Sequence, residues 1–309
     1  MICFLTTTGY DFTLKSLRND PGAPPISTLT YRRALKKSAL PEATYVFTDI
    51  DRLNARDLIA AASLFRRLQQ EGRRVLNDPA RVQVRFPLLR ALYRSGINPF
   101  NVYSVEEEDK PERFPVFLRL SSGHDAPLSD LIFDQDALER AIAAAVSFGF
   151  PRHALMVVEY AAEPIRPGLF RKLSVFRIGD EFIPHVCVHD TSWMVKLGRA
   201  GVAGQDLYEE ELKFMQENTF ADRLKPVFAI ADIDYGRADF GLVGGRICVY
   251  EINTNPQVNP ITTHPFAPRI ESGRLWWEGF KAALHRLDAE SQREAAAPKA
   301  TQSQEDAVR

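Results

Sequence analysis

At 309 residues, 45% of them hydrophobic and 26% charged, the chain is long enough for two packed units and has the balance of a globular protein. Lysine plus arginine (39) against aspartate plus glutamate (40) leaves a net charge of −1, which excludes the broad positive field of a general nucleic-acid or membrane-surface binder. Three scattered cysteines (Cys3, Cys187, Cys248) exclude a disulfide framework and a CxxC metal site. With no basic leader and no apolar run near the roughly 20 residues that span a bilayer, a cytoplasmic protein is expected.

In chain order, Ile2–Thr7 reads as a strand ending at a Gly9 turn. Pro21–Pro25 is loop, Leu29–Lys37 a short basic helix, and Ala43–Asp49 a second strand. Asn54–Gln70 places Leu58, Ile59, Ala62, Phe65 and Leu68 at helical spacing, with Gly72 as its stop. Arg73–Leu76 is a short strand, after which Asp78 caps and Pro79 opens a further helix. Strand and helix alternate, so a small α/β unit is expected over residues 1–105.

The charge run Glu106–Arg113 reads as a solvated linker. Strands follow at Phe114–Leu120 and Ala154–Tyr160, around an alanine-rich helix at Asp136–Phe148. Arg171–Ile178 and Glu181–Val188 form a meander joined at Gly179-Asp180, a two-residue hairpin turn. Asp206–Glu217 and Ala221–Ala231 are helical, with Pro226 expected to break or restart the second. A hairpin spans Tyr235–Ile252, Leu275–Leu287 closes the fold, and residues 290–309 lack apolar periodicity and read as a disordered tail.

The hairpin carries the chemistry. Alternation sends Arg237 and Asp239 to one face and Ala238, Phe240 and Leu242 to the other, while Glu251 and Asn253 oppose Cys248, Tyr250 and Ile252. A two-residue loop at Gly244-Gly245 would pair Asp239 with Tyr250 and mix these sets. Counting Arg246 into the loop pairs Asp239 with Glu251 and Arg237 with Asn253, and keeps the six apolar residues together. That register is expected. Two carboxylates directly opposite repel unless a cation lies between them. Mg²⁺, which takes oxygen ligands, fits that place, with Asn253 as a neutral donor and Arg237 within reach of a phosphate.

Arg237-Ala-Asp239 followed by Glu251-Ile-Asn253-Thr-Asn-Pro256 resembles the ATP-grasp superfamily, which includes D-alanine–D-alanine ligase, glutathione synthetase and glutamate ligases that modify a ribosomal protein. The resemblance runs from about Asn77 to Pro256. It implies an α/β (α+β) protein: a small N-terminal α/β domain, then a two-lobed ATP-grasp domain with mainly antiparallel sheets at 106–289, its lobes at about 110–160 and 161–289. It implies ATP and Mg²⁺, the metal on Asp239, Glu251 and Asn253, and Arg237 steadying an acyl phosphate. Val158-Glu159-Tyr160 resembles the inter-lobe segment whose backbone reads adenine, with Glu159 or Glu163 towards the ribose. Arg171 or Lys172 would face the phosphates, and Lys196, near Trp193, would touch phosphate or substrate.

Two features depart from the family. Arg119 stands where many members have lysine, and the glycine-rich loop is reduced to Ser121-Ser-Gly123-His-Asp125. Arginine keeps the charge but not a lysine's geometry, and a single glycine leaves fewer backbone N–H groups for phosphate. The activity implied is an ATP-dependent ligase joining a carboxylate to an amine on a small-molecule or peptide substrate. A hydroxyl kinase and a non-catalytic nucleotide-binding module are the alternatives, and a homo-oligomer or partner protein stays open. The six histidines show no metal spacing, and no Walker A, GxGxxG or GxSxG signature is present.

Overall fold

The computed structural model describes residues 1–107, 109–123 and 126–296. The N-terminal unit is a parallel sheet of β1 (Ile2–Thr6), β2 (Ile26–Thr30), β3 (Thr44–Phe47) and β4 (Val75–Leu76), in the order β2-β1-β3-β4. Every residue of β1 and β3 is buried, as apolar strands covered on both faces should be. Around the sheet lie α1 (Lys15–Arg18), α2 (Tyr31–Ala34) and α3 (Ala55–Gln70), the last capped by Asn54 on the Asp57 N–H.

The basic helix expected at Leu29–Lys37 is mostly replaced. Ile26–Thr30 pairs with β1, and Thr30 then caps the single turn of α2. Pro79 opens no helix: Asp78 accepts the Ala80 N–H in a turn, and the next helix, α4, begins at Arg85 and runs to Arg94.

The middle of the chain forms a three-stranded antiparallel sheet, with β5 (Val102–Ser104), β6 (Val116–Leu120) and β7 (Leu155–Glu159) in the order β5-β7-β6 and α5 (Gln135–Phe148) on one face. Although β5 falls within the expected first unit, it belongs to this sheet. Alternation divides the faces: Val116, Leu118, Leu155 and Val157 pack with Leu138 of α5, while Phe117, Met156 and Val158 join the main core.

The second lobe is built on β8 (Phe170–Ile178) and β9 (Glu181–Asp190), then α6 (Gln205–Glu217), α7 (Ala221–Ala231), β10 (Tyr235–Val243) and β11 (Arg246–Asn253). Its antiparallel sheet has the order β11-β10-β8-β9. Pro226 does not break α7, because Leu224, Val227, Phe228 and Ala231 bury one continuous face. The last helix, α8 (Ala267–Ala296), is longer than expected and carries helical structure from Glu290 to Ala296, with Glu290 paired to Arg74 at 2.8 Å. The remainder of the expected tail, 297–309, lies outside the described residues.

Helix α8, seated on β8, and Asn77 tie the N-terminal unit to the lobe that carries the hairpin. Trp276 and Phe280 of α8 are buried against Phe176 of β8, and Trp277 donates to Asp20 at 2.6 Å. Asn77, in left-handed backbone (φ 62°), uses its whole carboxamide: it donates to the Phe47 and Tyr235 carbonyls and accepts from the Asp234 and Tyr235 N–H groups. A buried amide satisfied in this way fixes where β10 starts relative to β3. Among the described residues no helix is long and apolar enough to cross a membrane.

Two buried histidines make this packing pH-sensitive. His185 lies edge-on to Trp276 at 4.3 Å, and burial, then Arg237, Arg269 and Lys172, hold its imidazole well below its usual range. Burial and then Arg171 push His189 down to about 4. Between about pH 6.5 and 4 the folded protein therefore binds fewer protons than the unfolded chain, and stability falls as the pH falls through that window. For His189 the loss is on the order of 3 kcal/mol. Thermal unfolding should show Tm dropping from pH 6.5 to 4, and a His185→Phe/His189→Phe variant should flatten that slope.

Candidate active site

The hairpin register places the two carboxylates, by a route different from the one expected. The turn is two residues long, with Val243 opposite Arg246, Gly241 opposite Cys248 and Phe240 opposite Val249. A β-bulge between Asp239 and Phe240 then absorbs Tyr250, so that Asp239 faces Glu251 and Arg237 faces Asn253. The expected pairs at the site are present, and the expected three-residue loop is corrected. Tyr250 lines the cleft while still packing against the main core. Its hydroxyl lies over Gly241, where a Cβ would come within 2.3 Å of the oxygen, so this position takes glycine.

Asn98, buried in the loop after α4, holds the bulge from outside. Its carboxamide donates to the Val249 carbonyl and accepts the Val249 N–H, both at 2.8 Å. These bonds complete the outer edge of β11 next to the bulged residue.

A cleft of about 1010 Å³, open solvent at its mouth included, lies between the three-stranded sheet and the β8–β11 sheet. Asp239 and Glu251 line its floor, Val158, Glu159, Tyr160 and Glu163 the inter-lobe wall, and Arg119, Arg171, Lys172 and Lys196 bring positive charge. Trp193 closes one side, with its ring 4.9 Å from Phe117 and 5.5 Å from Tyr160.

The structure separates Arg171 from Lys172. Lys172 reaches Asp239 at 3.0 Å and donates to the Lys196 carbonyl, while Arg171 turns to Glu210 at 2.7 Å. Arg237 grips Asp239 through two bonds, at 2.7 and 3.1 Å, and does not line the cleft. Burial alone would raise the Asp239 carboxyl, but Arg237 and Lys172 outweigh it and hold it below the ordinary range. Glu159 is committed elsewhere: its carboxylate takes bonds from the Asn101 N–H, the Tyr103 hydroxyl and Arg113, leaving only its backbone for the cleft. Glu163 accepts the Gly244 N–H at 2.6 Å and lines the cleft. The Asn253 oxygen accepts the Asn255 N–H at 2.8 Å, shaping the turn after β11, and Asn253 does not line the cleft.

Arg85 was not foreseen. Buried at the start of α4, it pairs with Glu251 and donates to the Gly123 carbonyl of the reduced glycine loop; His124 and Asp125 of that loop lie outside the described residues. One signal existed in the sequence: Arg85 shares a helix face with Leu88, Leu89 and Leu92, and a cation on an apolar stripe needs a buried partner.

Three cations therefore balance the two carboxylates: Arg237 and Lys172 on Asp239, and Arg85 on Glu251. Among the described residues no three His, Cys, Asp or Glu side chains converge as a metal cage. Two carboxylates on the floor of a cationic cleft fit Mg²⁺ that arrives bound to phosphates, its usual mode.

No protein-family model matches the chain, and no curated protein matches it. The architecture is shared with solved D-alanine–D-alanine ligases. Two solved structures of D-alanine–D-alanine ligase from Bacillus anthracis, one complexed with ATP, superpose with a TM-score of 0.50 at 12% identity, over 94% of this chain and 98% of theirs. At that identity the likeness is one of fold.

Because Arg85 is buried and paired, Arg85→Ala should destabilise the protein by roughly 3 kcal/mol. Urea unfolding of Arg85→Ala, Glu251→Gln and the double variant should show a smaller loss for the double than for the sum of the singles.

Proposed function

We propose that this protein is an ATP- and Mg²⁺-dependent ligase that joins a carboxylate to an amine through an acyl phosphate. The observation that carries this reading is Asp239 facing Glu251 on the floor of a cationic cleft, in a chain with the fold of ligases one of which has been solved with ATP. The lobes would be about 110–160 and 161–289, with the nucleotide between them and the unit at 1–105 supplying part of the substrate site.

In this reading the adenine lies against the backbone of Val158-Glu159-Tyr160, with Glu163 towards the ribose. Lys172, Arg119 and Lys196 hold the phosphates. Asp239 and Glu251 would hold Mg²⁺, with Asn253 beside them on β11 as a neutral oxygen donor. The metal, when bound, neutralises phosphate charge. A carboxylate oxygen of the substrate attacks the γ-phosphorus, and the bond to the β-phosphate oxygen breaks to release ADP. The amine nitrogen then attacks the acyl carbon, loses a proton, and phosphate leaves. Arg237, behind Asp239, acts by holding that carboxylate ionised, and Arg85 keeps Glu251 in place. Catalysis is positioning and charge neutralisation, as in other phosphoryl transfers.

The test is release of ADP and phosphate from Mg-ATP over a panel of acids and amines. Asp239→Asn and Glu251→Gln should each lower turnover by at least about a hundredfold. Full activity in both variants would remove the metal assignment. A stable phosphorylated product formed without any amine would identify a kinase instead.

A further inference from the structure

Among the described residues, α2 and the turn after it carry a concentrated charge patch that the cleft does not use. Arg32, Arg33, Lys36 and Lys37 lie on and just after α2, all exposed, with Leu35 39% exposed among them. None of the four side chains makes an ion pair or hydrogen bond with a described residue, whereas arginines on the neighbouring elements, Arg52, Arg66 and Arg73, are each paired to an acid. Like charges held close together on one face repel, so this arrangement has a cost unless an anion sits against it.

The place of the patch in the fold gives it a direction. β2 and β1 end together, Thr30 opposite Thr6, so α2 starts at the carboxyl edge of the parallel sheet. Tyr31 reaches along that edge to the Thr48 carbonyl at 2.7 Å. Next to Thr48, buried Asp49 accepts from Thr7 and from the Asn255 side chain, which brings the exit of β11 to the same edge. Arg52, paired to Asp49, stands at the same edge, its guanidinium 3.9 Å from the Tyr10 ring centre. Ile50 and Asp51 then line a small cavity of about 360 Å³ that also contains Arg85 and Glu251. Ligands of open parallel sheets bind at this edge, at the point where the connections of neighbouring strands leave in opposite directions, and here that point lies between β1 and β3.

We infer that α2 is the docking surface for an acidic peptide segment, whose carboxylates pair with Arg32, Arg33, Lys36 and Lys37 and whose chain runs along the sheet edge towards Glu251. An acidic peptide fits better than a nucleic acid on three grounds. Four cations on one short segment neutralise few phosphates, and the rest of the chain, at net −1, supplies no supporting field. Leu35 gives an apolar side chain something to pack on. The reaction proposed above consumes a carboxylate, so this step rests on that reading for its meaning, although the binding itself does not.

The experiment is fluorescence anisotropy of a labelled oligoglutamate peptide, at low and raised salt, against the wild type and an Arg32→Gln/Arg33→Gln/Lys36→Gln/Lys37→Gln variant. These residues are exposed, so the variant should keep the wild-type Tm and its affinity for Mg-ATP. The wild type should bind the peptide with an affinity that falls as salt rises, and the variant should bind at least about tenfold more weakly. Equal binding by both proteins, or no binding by the wild type, overturns the inference. Equally tight and equally patch-dependent binding of a single-stranded oligonucleotide also overturns it, by making the patch a general polyanion site. Asp239→Asn should bind the peptide like wild type, so a failed docking test and a failed ligase assay are separately readable.

Discussion

The site depends on a single extra residue in β11. Without the bulge at Tyr250, the two-residue turn at Gly244-Gly245 would carry its register through to the base of the hairpin and set Asp239 against Tyr250. With it, the pairing slips by one, and Asp239 meets Glu251. Such a slip needs an anchor, because a strand at the edge of a sheet can otherwise choose between registers. Asn98 provides it by acting as a short piece of strand against Val249, from a loop far away in the sequence. Gly241 makes room for the displaced tyrosine ring. Bulges are favoured next to functional sites because they re-aim a side chain without disturbing the rest of the ladder.

Given that register, the electrostatics follow. Two carboxylates brought face to face would raise each other's pKa, yet Asp239 stays low because Arg237 holds it from its own strand and Lys172 from the neighbouring one. Glu251 has Arg85 from α4, an element of a different part of the fold. The two carboxylates of the floor are thus paired with cations that differ in exposure. Arg85 is the most enclosed of the three and also reaches the Gly123 carbonyl, which couples the position of Glu251 to that of the loop above it.

Much of the fold was legible in local pattern. The strands Ile2–Thr6 and Thr44–Phe47, the helix Ala55–Gln70 and the hairpin at Gly179-Asp180 all carry their signal within a few residues, through apolar spacing, a cap or a turn. Where the reading went astray, a longer-range contact overrode the local one. Residues 29–30 look helical beside the basic run, but pairing with β1 makes them strand. Pro226 should interrupt a helix, but four buried side chains on one face of α7 outweigh the lost backbone bond. The end of α8 is polar and still helical through Ala296, as an extension of a helix whose earlier turns are buried.

The sequence by itself determined the groups on offer: Arg237, Asp239, Glu251 and Asn253 on two adjoining strands, with positive charge upstream at Arg119, Arg171 and Lys172. Alternation and spacing are local properties, and they survive folding. Only the tertiary structure decided how those groups are used. It paired Lys172 with Asp239 and Arg171 with Glu210, turned Glu159 away from the cleft to Arg113 and Tyr103, placed Arg237 behind Asp239, and brought Arg85 to Glu251. The physical reason is that an ion pair is set by distance in space, and the partners of Asp239, Glu251 and Glu159 come from strands and helices that local spacing cannot bring together.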